Sequence, residues 1–96
     1  MEVIWSEKTK ESLAGIYDYI YPFSPENAER VIDTLLEIGD SLGDKRFEYA
    51  KEPIIQKEKY RFIPKWSYKI VYERKETSVI ILDIFHTKQN PDKIVF

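Results

Sequence analysis

The 96-residue chain contains no cysteine, a single histidine and only three glycines. Without cysteine there is no disulfide framework, no thiol nucleophile and no thiolate metal site. One histidine leaves zinc without its usual ligand set, so neither a metal nor a cofactor is expected. No stretch approaches the ~20 apolar residues of a membrane span. The N-terminus does not combine a basic flank, an apolar stretch and a small-residue cleavage site. These absences lead us to expect a soluble cytoplasmic protein with no membrane partner.

What is present can fill a core. The chain is 43% hydrophobic and 15% aromatic, with 7 Tyr, 5 Phe and 2 Trp, which argues against disorder. Its length fits one domain, residues 1–96. The net charge of −2 hides an asymmetry. Residues 1–43 hold three basic residues (Lys8, Lys10, Arg30) against nine acidic ones, and residues 44–96 hold the other 12 basic residues against 8 acidic ones. An anionic partner would therefore meet the second half of the chain.

Glu2-Val3-Ile4-Trp5 reads as a short first strand, and Ser6 as the N-cap of the helix that follows. Leu13, Ile16, Tyr17 and Ile20 recur at i, i+3, i+4 and i+7, one stripe of an amphipathic helix. Pro22-Phe23-Ser24-Pro25 breaks it. Ser24 as N-cap and Pro25 at the first helical position open a second helix. Its apolar face is Ala28, Val31, Ile32, Leu35, Leu36, Ile38 and Leu42, with Gly43 as a left-handed cap. A connection of about four residues makes the pair an antiparallel hairpin.

Residues 44–58 are charged, carry Pro53 and show no clear period; Ala50 to Ile55 could hold a short strand or turn. Period two then takes over. Residues 59–63 form a strand stopped by Pro64. Residues 67–73 place Tyr68, Ile70 and Tyr72 on one face and Lys69 and Val71 on the other. Arg74-Lys75-Glu76-Thr77 is a polar turn before a strand from Ser78 to Phe85. A polar tail ends in Ile94-Val95-Phe96, three residues suited to docking on the body. The order predicts an α+β fold: an N-terminal strand, an antiparallel helix hairpin, then a three-stranded antiparallel meander. The helices pack on one face of the sheet and leave the other open to a partner.

Several of these segments, in this order and spacing, resemble the RelE/ParE superfamily. They are Val3-Ile4-Trp5-Ser6 leading into Leu13 to Ile20, Ser24-Pro25-Glu26-Asn27-Ala28, Tyr60-Arg61, Tyr68 to Tyr72, Ile81 to Thr87, and Asn90-Pro91. The resemblance covers nearly the whole chain. It implies the toxin half of a bacterial type II toxin–antitoxin pair of the plasmid-stabilisation type, neutralised by a small cognate antitoxin. It implies one of two targets. ParE-like members inhibit DNA gyrase; RelE-like members are ribonucleases that cut mRNA on the ribosome. The gyrase branch is preferred, with two alternatives: the endonuclease, and an inactive member that only binds antitoxin.

Metal-free RNA cleavage needs a base, an acid and cations for the phosphate. At the positions matching the ribonuclease members stand Lys69 and His86. His86 would be the base or acid, Lys69 a phosphate cation, and Arg61 on the preceding strand a bidentate clamp. Glu48 or Glu52 could assist. Two departures count against this set. Lys69 stands where arginine is common and cannot form its planar fork. Thr87 follows the histidine where an aromatic or basic residue is frequent. The acidic balance also suits ribosomal RNA poorly. The alternative reading is structural: Lys69 and Arg61 as solvated strand residues, and Tyr60, Tyr68 and Tyr72 as packing or, less readily, base-stacking groups. Alternation groups His86 with Ile80, Leu82 and Ile84, opposite Asp83; if that face meets the helices, the imidazole lies at the margin of the core.

Overall fold

A computed structural model describes residues 1–44 and 59–87. The elements are β1 (Glu2–Trp5), α1 (Glu7–Ile20), α2 (Pro25–Ser41), β2 (Tyr60–Lys65), β3 (Tyr68–Arg74) and β4 (Ser78–His86). The sheet order is β1-β4-β3-β2. The meander is antiparallel, whereas β1 adds to β4 in parallel, Val3 opposite Val79 and Trp5 opposite Ile81. The sheet is therefore mixed, a detail the order of elements alone did not specify. The expected strand or turn at 50–55, Glu48, Glu52 and the C-terminal Ile94-Val95-Phe96 lie outside the described residues.

Both helices begin where the caps predict. The Ser6 hydroxyl accepts from the Thr9 amide and the Ser24 hydroxyl from that of Asn27, and Pro25 occupies the first turn of α2. Each cap satisfies a backbone donor that has no partner inside its helix. The helices lie on one face of the sheet. Leu35 of α2 and Leu42, its C-cap residue, join Ile63, Ile70, Tyr72, Val79, Ile81 and Ile84 in the main core, with Val3, Trp5, Leu13, Ile16, Val31 and Ile38 packed around it. The opposite face carries a smaller cluster, Tyr60, Val71 and Phe85, with Phe62 and Leu82 beside it.

Alternation along β3 holds: Ile70 and Tyr72 face the helices and Val71 faces away. Alternation along β4 does not. Val71 pairs with Asp83 but Tyr72 pairs with Ile81, so Leu82 is an extra residue in the ladder, a β-bulge. The bulge is tied to the start of α1. The Ser6 amide and the Thr9 hydroxyl both donate to the Ile81 carbonyl, at 3.1 and 3.0 Å. The Ser6 hydroxyl donates to the Leu82 carbonyl at 3.0 Å. The buried Asp83 carboxylate accepts from the Ser12 hydroxyl at 2.5 Å and from the Ile84 amide at 2.8 Å, with the Lys8 ammonium 3.6 Å away.

Two expectations are corrected. Pro64 does not stop β2, which runs on to Lys65. It sits on the edge strand, where a missing N–H costs no ladder bond. Gly43 is not left-handed, since no glycine here has positive φ. Its lack of a side chain serves a close approach instead, for a Cβ would stand 2.8 Å from the Met1 carbonyl. The end of α2 is met by Arg74, whose Nη1 donates to the Leu42 carbonyl at 3.1 Å. Among the described residues the one with positive φ is Trp66 (54°), in the two-residue turn between β2 and β3.

Gly39 marks a close approach of α2 to the sheet. A Cβ there would overlap the Trp5 indole and lie 2.8 Å from Ile81 Cδ1, while the indole N–H donates to Asp40 at 3.2 Å. Gly15 on α1 faces open space. Gly39→Ala is expected to destabilise the protein by about 1–3 kcal/mol through overpacking, despite the ~1 kcal/mol that alanine contributes in a helix. Gly15→Ala should leave stability unchanged or raise it by up to ~1 kcal/mol. Urea unfolding of both variants checks the pair, and a Gly39→Ala protein as stable as wild type would refute the close packing of Trp5 on α2.

Candidate functional site

The bulge decides where the last strand puts its side chains. Before it, Val79 and Ile81 face the helices; after it, Ile84 does, and Leu82 and Phe85 turn to the other face. His86 therefore shares a side with Ile84, as alternation suggested, but not with Leu82. The imidazole stands edge-on to the Tyr68 ring, with centroids 5.4 Å apart and planes at 87°. It is partly exposed at the margin of the main core. Tyr68 is packed against that core. Burial first, and the neighbouring Tyr19 phenol second, push the Tyr68 phenol above its usual value. His86 thus ends in an aromatic corner made by β3, β4 and the last turn of α1.

Lys69 lies on the opposite face. It pairs with Pro64 and Phe85, and its ammonium sits 4.4 Å above the Phe62 ring. That contact belongs to the smaller cluster, where Lys69 covers apolar surface with its stem and a ring with its charge. Arg61 pairs with Tyr72 on the edge strand, and alternation with Phe62 and Ile63 places it on the helix side. His86 is opposite Tyr68, so Arg61 and His86 are separated by four residues of β3, a rise of roughly 13 Å. The structure does not bring His86, Lys69 and Arg61 to one point. Glu48 and Glu52 lie outside the described residues.

Tyr60 and Tyr72 are packing residues, 6% and 0% exposed, and are closed to base stacking. The exposed aromatic side chains are elsewhere. Tyr19, Tyr21 and Phe23 stand at the turn of the helix hairpin, and Trp66 at the β2–β3 turn with the Lys65 ammonium 4.8 Å from its ring. Sequence reasoning read the hairpin turn as a helix breaker. The four aromatic residues among positions 17–23 were the available signal that it is also a surface. Among the described residues no group of His, Asp and Glu is arranged to hold a metal ion, and no helix is long and apolar enough to cross a membrane.

The comparisons bear on the whole chain. The model of a family described as the ParE toxin of the type II toxin–antitoxin system, parDE, matches residues 3–91. A solved structure titled the chromosomal ParDE TA system from P. aeruginosa superposes with a TM-score of 0.76 at 22% identity, covering 92% of this chain and 97% of that one. At that identity the likeness concerns the fold. No curated protein matches.

The aromatic corner has a pH signature. A phenol whose folded pKa is raised binds its proton more tightly in the native state than in the unfolded one. Its contribution is fully present below the unfolded value of 10.0 and is lost as pH rises through the folded value. Wild-type protein should therefore lose more stability than Tyr68→Phe as pH is raised from below 10 to above it. Denaturant midpoints measured across that range test this, and parallel losses in the two proteins would contradict the half-buried position of Tyr68 beside Tyr19.

Proposed function

The chain belongs to the family of ParE toxins of type II toxin–antitoxin systems, and from that premise we propose that it inhibits DNA gyrase by binding it and is held in check by a cognate antitoxin. The observation that supports binding over cleavage is the dispersal of the candidate catalytic groups. Lys69 covers Phe62 on one face of the sheet, while His86 stands against Tyr68 on the other. Arg61 is four residues of β3 away from His86. RNA cleavage needs its proton-transfer group and its phosphate cations around one scissile phosphate, and groups on opposite faces of a sheet do not share one. A binding inhibitor carries no such requirement.

A second reading is favoured by one feature. His86 is partly exposed and ends its strand edge-on to Tyr68, so an imidazole stands at the accessible end of the last strand. In that reading the protein is a ribosome-dependent mRNA endonuclease with His86 as acid or base and Lys69 and Arg61 as phosphate cations.

Expression alone should arrest bacterial growth, and co-expression of the adjacent antitoxin should restore it. Normal growth at verified soluble expression would leave a protein that only binds antitoxin. Purified protein at micromolar concentration should block supercoiling by purified gyrase, with His86→Ala as potent as wild type to within about twofold. Absence of inhibition removes the gyrase reading. Cuts in mRNA in a translating extract, lost in a folded His86→Ala variant, would establish the second reading in its place.

A further inference from the structure

We propose that the tip of the helix hairpin is a docking surface for an arginine-bearing basic segment of a protein partner. The tip consists of the last turn of α1, residues 21–24 and the first turn of α2. Residues 17–30 contain three acidic residues (Asp18, Glu26, Glu29) against one basic residue, Arg30, together with Tyr17, Tyr19, Tyr21 and Phe23. The contact of the hairpin with the main core runs through Leu13, Ile16, Val31, Leu35 and Ile38, and none of these four rings belongs to that cluster. Tyr19 is 74% and Phe23 81% exposed, the two highest values among the exposed large hydrophobic residues.

The rings form two pairs. Tyr17 and Tyr21 lie 5.5 Å apart at 34°, and Tyr19 and Phe23 lie 6.1 Å apart at 52°. Two residues of helix separate the pairs by about 200°, so they flank α1 on opposite sides. Tyr19 lies toward Tyr68 of the sheet, and Tyr17 lies toward Glu29 of α2. Asp18, Glu26 and Glu29 make no ion pair with a described residue.

Exposed aromatic rings in tilted pairs, beside carboxylates that no described residue pairs with, suit one kind of occupant. A guanidinium stacks on a ring face and offers its edge donors to a carboxylate, which an ammonium does less well. Aromatic residues also dominate the binding energy of protein interfaces when a partner covers them. The same negative field repels nucleic acid phosphate and anionic lipid. The surface is argued from the hairpin alone and does not rest on the gyrase reading.

The test uses the full chain and three synthetic 12-residue peptides in which serine alternates with arginine, lysine or glutamate. At physiological ionic strength the arginine peptide should shift backbone amide resonances of residues 17–29. It should bind more tightly than the lysine peptide by roughly twofold or more, since a guanidinium stacks and donates in one plane where an ammonium does not; the glutamate peptide should not bind. The double variant Tyr19→Ser/Phe23→Ser and the single variant Glu29→Gln, all at exposed positions, should weaken the arginine peptide at least threefold while leaving the unfolding midpoint unchanged. The proposal is overturned by any of four results: equal affinity for arginine and lysine, shifts centred outside the hairpin, variants that bind as wild type, or a self-association that buries Tyr19 and Phe23 against a second copy.

Discussion

The structure depends on the junction between the first turn of α1 and the bulge in β4. A helix start leaves backbone donors without partners inside the helix. A bulge leaves strand carbonyls outside the regular ladder. Here each feature supplies what the other lacks. The Ser6 amide and Thr9 hydroxyl donate to the Ile81 carbonyl, and the Ser6 hydroxyl to that of Leu82. Asp83, buried at 6% exposure, has its carboxylate held by Ser12, by the next backbone amide and by Lys8. A buried carboxylate left without such partners would cost more than its hydrogen bonds contribute, so the polar contacts are what make the bulge tenable inside an otherwise apolar sheet.

The chemistry of the surface follows from that one extra residue. Strict alternation from Ile81 would send Asp83 and Phe85 to the helix side and Ile84 and His86 to the other. With Leu82 inserted, Ile84 joins the main core and Phe85 crosses to Val71 and Tyr60. The imidazole is thereby delivered to Tyr68. A shift of one residue reverses every side chain beyond it. The separation of His86 from Lys69 is thus a consequence of the bulge, because β3 itself keeps its alternation and holds Lys69 over Phe62 on the other face.

Much of this was legible because short-range chemistry decides it. Ser6 and Ser24-Pro25 announce the helix starts through groups three residues apart, and the side chains from Tyr68 to Tyr72 alternate in full view. The less legible features depend on distant partners. Nothing near Pro64 says that it lies on a sheet edge, which depends on the strand order. Gly43 has the chemistry of a left-handed cap, yet what it accommodates is the Met1 carbonyl, far away in sequence. The bulge left one trace, the charged Asp83 inside an apolar run. Its meaning required Ser12 and Lys8, about seventy residues earlier. The site inherited that uncertainty, since the face of His86 was inferred from an alternation that the bulge interrupts. That inference placed the imidazole correctly beside Ile84 and wrongly grouped it with Leu82.

The charge asymmetry of the chain becomes an asymmetry of layers. The two helices carry eight exposed acidic residues against Lys8, Lys10 and Arg30, while residues 59–87 carry six basic residues against Glu73, Glu76 and the buried Asp83. The smallest dimension of the molecule, 22 Å, exceeds the roughly 8 Å over which physiological salt screens charge. The two layers therefore do not cancel at their outer surfaces, and a net charge of −2 describes neither. A partner approaching the helices meets carboxylates and exposed aromatic rings. One approaching the open face of the sheet meets Lys59 and Lys69 over a small apolar cluster. A toxin must be recognised by its antitoxin and also present a surface to its target. Because the bulge anchors the helix layer to the sheet as one body, an acidic, aromatic surface and an apolar face edged by Lys59 and Lys69 are held at fixed separation, so partners of different chemistry can be distinguished by the face they approach.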